Sequence, residues 1–99
     1  MKTVYPAIFK DTGEGFLVEV PDLDILTQGT DPENAIEMAR DAISITIVLL
    51  EDNKQEVPTP SAMDCIDVSK GNFVYDGKSF VSMVDVDTAE YRRRIGTKS

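Results

Sequence analysis

Carboxylates are the side chains with most chemical potential in this 99-residue chain, and histidine is the one it lacks. Asp11, Glu14, Glu19, Asp22 and Asp24 crowd the first quarter, and Asp85 and Asp87 lie near the end. Carboxylates converging from adjacent strands could hold two metal ions and cleave a phosphodiester. Most of these acids sit in loops instead. Asp11 and Glu14 flank a glycine-rich turn, Asp22 and Asp24 follow Pro21, and Glu19 is the only acid within the second strand. Solvated acids are therefore expected, with no catalytic residue, metal or cofactor; a metal-dependent nuclease is the alternative. The absence of His removes histidine bases, Cys-His and Ser-His nucleophile pairs, and zinc sites of the usual Cys/His kind. Cys65 has no base near it in sequence and is expected to be a packed small residue. A lone cysteine forms no internal disulfide, which suits a reducing cytoplasm.

Two further groups could meet nucleic acid. Tyr5, Phe9 and Phe16 could stack on bases, though core packing is the expected role. Arg92, Arg93 and Arg94 could touch phosphates, meet an acidic patch on a neighbouring subunit, or end a solvated helix. Charge decides against an RNA platform. The chain carries −8 overall, and residues 1–91 carry −12, from 18 acids against six bases. Residues 92–99 carry +4, from Arg92, Arg93, Arg94 and Lys98. A body of that sign repels phosphates and attracts basic surfaces.

These side chains must be positioned by a few short elements. Val4, Tyr5, Ile8 and Phe9 favour a strand over residues 3–10, and Pro6 within it points to an edge strand or a strand start. Residues 11–15 compose a hairpin loop. Phe16 to Val20 is a second strand, with Phe16, Val18 and Val20 on one face and Leu17 and Glu19 on the other. Ile25 to Gln28 is a short third strand, closed by Gly29. Asp31 as N-cap and Pro32 at the first helical position open a helix that runs to about Leu50 or Glu51. Asp76-Gly77 predicts a tight hairpin turn, and Ser79 to Val86 alternates as a fourth main strand. Asp87 caps a short last helix. The longest apolar run, Ile45 to Leu50, is too short to span a bilayer, and the N-terminus has no signal-peptide core.

The long helix carries two apolar stripes. Ala35, Ala39, Ala42, Ile43, Thr46, Ile47 and Leu50 should pack on the sheet. Met38, Ile45, Val48 and Leu49 lie toward the opposite side. They are covered either by residues 62–75 or by a second copy of the chain, and at least a dimer is expected.

The ordered landmarks resemble the HicB antitoxins of toxin–antitoxin pairs. They are Tyr5-Pro6, Gly15-Phe16, Pro21-Asp22-Leu23, Gly29, a helix rich in Glu and Ala, and Pro58-Thr59-Pro60-Ser61. The resemblance implies an α+β fold: a three-stranded antiparallel sheet, a long helix, then further strands and a short C-terminal helix. This β-β-β-α-β order is described for the family as degenerate ribonuclease-H-like. It implies a non-catalytic, cytoplasmic protein whose partner is a small basic HicA-type toxin that cleaves mRNA. Residues 1–91 would form the toxin-masking domain, and residues 92–99 a basic tail or the start of a linker. Glu14, Glu19, Asp22 and Asp24 would meet the toxin. Many members continue into a C-terminal DNA-binding domain; nothing in these 99 residues is long enough to form one, so operator binding is expected only where such a domain exists. The alternatives are a ribonuclease-H-type nuclease that needs metal, and an orphan interaction domain.

Overall fold

A computed structural model describes residues 2–60 and 79–94. The expected turn at Asp76-Gly77, the site of Cys65 and the cover expected from residues 62–75 lie outside the described residues. Along the chain run β1 (Lys2–Asp11), β2 (Phe16–Val20), a 3-10 turn (Pro21–Leu23), β3 (Ile25–Gly29), α1 (Pro32–Asp52), β4 (Ser79–Asp87) and α2 (Thr88–Arg94). The fold is α+β. Its antiparallel sheet has four strands rather than three, in the order β3-β2-β1-β4. The late strand joins the same sheet by pairing along nearly all of β1, from Lys2 opposite Asp87 to Lys10 opposite Ser79.

That pairing corrects the reading of Pro6. Its strand is an inner one, flanked by β2 and β4. Yet β2 pairs with β1 only from Ile8 opposite Glu19 to Asp11 opposite Phe16. Continuing that register sets Pro6 against Pro21, where β2 has turned into the 3-10 segment. On that side a residue without an N–H leaves no ladder bond unmade.

The hairpin loop closes as its composition demands. Asp11 accepts a bond from the Gly13 amide at 2.8 Å, and Gly13 takes φ +85°. Asp31 caps α1 by accepting from the Asn34 amide at 2.7 Å. Tyr5, Ala7 and Phe9 of β1, Val18 and Val20 of β2, and Val84 and Val86 of β4 face α1. Ala35, Ala39, Ile43 and Ile47 fill the other side of this core. Gly29 permits the approach: a Cβ there would lie 2.4 Å from the Ala35 Cα.

Candidate functional site

The acids predicted to meet a partner do not form one patch. Glu14 is exposed in the β1–β2 loop, and Asp24 is exposed beyond the 3-10 turn. The five residues of β2 lie between them, about 17 Å of strand. Asp22 is half-buried and lies near the Tyr5 hydroxyl, where its charge helps raise the phenol pKa. Glu19 stands apart from these. It is 6% exposed, opposite Ile8 on the face away from α1, and is engaged within the chain. Strand alternation placed it on that face correctly, but could not show that the face is buried at its centre, where Ile8 is also buried. Among the described residues no three acids or other ligating side chains gather as a metal site.

Two of the three aromatics are core, and Phe16 packs half-buried against it. Tyr5 and Phe9 are buried, Phe9 stacks on Phe80 with ring centroids 5.1 Å apart, and Phe16 meets Phe80 edge-on at 6.4 Å. Tyr5 has a second role that residue type alone did not reveal. Its hydroxyl donates to the Pro58 carbonyl at 2.6 Å and so ties β1 to the proline connector after α1. Burial, and then the Asp22 carboxylate, raise its pKa above the ordinary tyrosine value.

Arg92 and Arg94 of α2 bond within the chain. Arg92 reaches Glu51 at 3.3 Å and Asp52 at 3.0 Å, and Arg94 reaches Asp41 at 3.2 Å. All three acids belong to α1. Arg94 also lies over the Tyr91 ring, 5.9 Å from its centroid. Asp87 caps α2, accepting from the Ala89 and Glu90 amides at 3.1 and 3.3 Å. On the neighbouring flank Arg40 donates to the Asp85 carboxylate at 2.9 Å, which holds that carboxyl below its ordinary pKa. The helix α2 crosses the residue 91–92 position without a break.

Three of the four residues of the outer stripe of α1 are exposed. Met38, Ile45 and Leu49 are 40%, 46% and 54% exposed. Val48 is 5% exposed. At about 100° per residue it lies roughly 80° round from Met38. That is the flank shared with Ser44 and Asp52, the side to which α2 is tied. Met38 also lines an open groove of about 440 Å³ with Glu14, Phe16, Leu17, Gln28 and Asn34.

A family model described as the HicB-like antitoxin of bacterial toxin–antitoxin systems matches residues 5–97. The chain belongs to the HicB-like antitoxin family. A chain of a toxin–antitoxin complex from Streptococcus pneumoniae is 32% identical to this antitoxin, over 92% of this chain and 73% of that one, with a TM-score of 0.78. A chain of a HicA3 and HicB3 toxin–antitoxin complex is 23% identical over 86% of the antitoxin and 99% of its own length, with a TM-score of 0.66, a likeness of fold. No match was found among curated proteins. No described helix of the antitoxin is long and apolar enough to cross a membrane.

Proposed function

We propose that this antitoxin neutralises a small basic ribonuclease of the HicA type by covering its RNA-binding face, and that it does no chemistry itself. Membership of the HicB-like antitoxin family carries the reading. A chain of like fold comes from a HicA3 and HicB3 toxin–antitoxin complex, which supports the class of partner. Charge supports the mode: a surface built to attract phosphates also attracts the carboxylates of a chain at −8. The separation of Glu14 from Asp24, and the burial of Glu19, weigh against a two-metal centre in the first strands. The order β1-β2-β3-α1-β4 supports reading the scaffold as a degenerate ribonuclease-H-like core put to a binding role.

Co-expression with the product of the adjacent small reading frame tests this. A stable complex should form, and the free partner's RNA cleavage should be suppressed in it. Reversing Glu14 and Asp24 together to Lys should slow association. Failure to form a complex, or magnesium-dependent RNA cleavage by the pure chain, overturns the reading.

A further inference from the structure

The apolar stripe of α1 and the groove beside it form one surface. Met38, Ile45 and Leu49 fall within about 40° of one another around the helix and span about 16 Å along it. Each is at least 40% exposed. Met38 then leads into the groove whose wall is Phe16 and Leu17 and whose rim carries Glu14. Three exposed apolar side chains in line beside an open groove make a surface that a partner could cover.

Charge selects the occupant. The helix beneath the stripe holds Glu33, Glu37, Asp41, Glu51 and Asp52 against the single base Arg40. Packing two copies of α1 along this face would bring together the acids nearest it, Glu37, Asp41 and Asp52, which lie within about 100° of the stripe, and like charges across an interface oppose association. The arginines of α2 offset Asp41, Glu51 and Asp52. Glu33 and Glu37 have no cationic partner among the described residues.

We propose that the Met38–Ile45–Leu49 stripe, continued into the Glu14 groove, docks a basic amphipathic element of the ribonuclease partner: apolar side chains on the stripe, Lys or Arg toward Glu37 and Glu14. The proposal rests on the partner class inferred above and adds the face that grips it. It also separates the two loop acids, since Glu14 borders this surface and Asp24 lies at the far end of β2.

The test uses the full chain with the co-expressed partner and measures binding by calorimetry. Ile45→Glu with Leu49→Glu should weaken binding by about tenfold or more. Ile45→Ser with Leu49→Ser should weaken it less, and guards against a folding artefact. Leu26→Glu, exposed on the opposite face of the sheet, should bind as wild type. Glu14→Lys should cost more affinity than Asp24→Lys. If the folded stripe variants bind as wild type, or Leu26→Glu weakens binding equally, the docking face is wrong while the partner class stands. If the stripe variants instead turn a self-associated chain into a monomer, a second copy is the occupant and the proposal falls. If the wild-type chain binds no partner, both readings fall.

Discussion

Single side chains in this antitoxin join parts of the fold that are far apart in sequence. Tyr5 is the clearest case, because its hydroxyl spans 53 positions to reach the Pro58 carbonyl. Val57, next to that carbonyl, packs against the core, so the bond sits where the connector after α1 lies against the sheet. Tyr5→Phe keeps the ring and removes the bond. It should lower stability by about 1 kcal/mol, because the exposed Pro58 can turn to water. The same substitution should change the alkaline response. The folded phenol titrates above its unfolded value of about 10, since burial and Asp22 disfavour the phenolate. The folded state therefore holds this proton more tightly. The stability it contributes is complete below about pH 10 and is lost as pH rises through the folded value. Denaturant melts taken between about pH 8 and pH 11 should fall more steeply for wild type than for Tyr5→Phe. Parallel curves would show that another group carries the alkaline limb.

At the scale of elements, two contacts hold the helices in place. The first is the strand-to-helix approach at Gly29. A Cβ at Gly29 would also lie 2.5 Å from the Ala35 nitrogen, and one at Gly15 would lie 2.7 Å from the Gly29 carbonyl oxygen. All of these are backbone atoms that cannot step aside as a side-chain end can. Gly29→Ala should therefore cost about 1–3 kcal/mol by forcing α1 away from the sheet, read as a lower melting temperature. The second contact is the ionic tie of α2 to α1. The Arg92 side chain is only 18% exposed and bridges two acids, so Arg92→Ala should loosen α2 before the core. Amide exchange in residues 88–94 should speed up while the β1 amides keep their protection. Equal acceleration in both would show that α2 is part of the core unit. These two contacts also mark what the sequence could tell. The strands, the Asp31-Pro32 start of α1 and the Asp87 cap were legible because alternation and capping are local signals. Gly29 was legible as a landmark, but its reason, the closeness of Ala35, needed the fold. The α2 ties join residues at least 40 positions apart, so three arginines in a row read as a phosphate contact, a subunit contact or a solvated helix end, and not as a tie to α1. The burial of Glu19 and of Val48 was illegible for one reason. Periodicity names the face a residue is on, and burial depends on what packs there.

At the scale of the whole molecule, charge and apolar surface should govern different steps of binding. The net charge of −8 acts over distance and draws a basic partner in before any contact forms. The stripe of Met38, Ile45 and Leu49 acts only once surfaces touch, and so should set how long the complex lasts. Salt separates the two, because the Debye length falls from about 10 Å at 0.1 M to about 3 Å at 1 M. Raising sodium chloride from about 0.05 M to 0.5 M should slow association by about tenfold and leave dissociation nearly unchanged. The stripe variants should show the reverse, faster dissociation with the salt dependence of association intact. Glu14→Lys should flatten the salt dependence, because it removes an acid from the rim of the groove and sets a cation there. Surface-immobilised kinetics across this salt range read both rates at once. An association rate that stays flat with salt would mean that long-range charge is not what brings the partner in, and would leave the apolar stripe as the source of recognition.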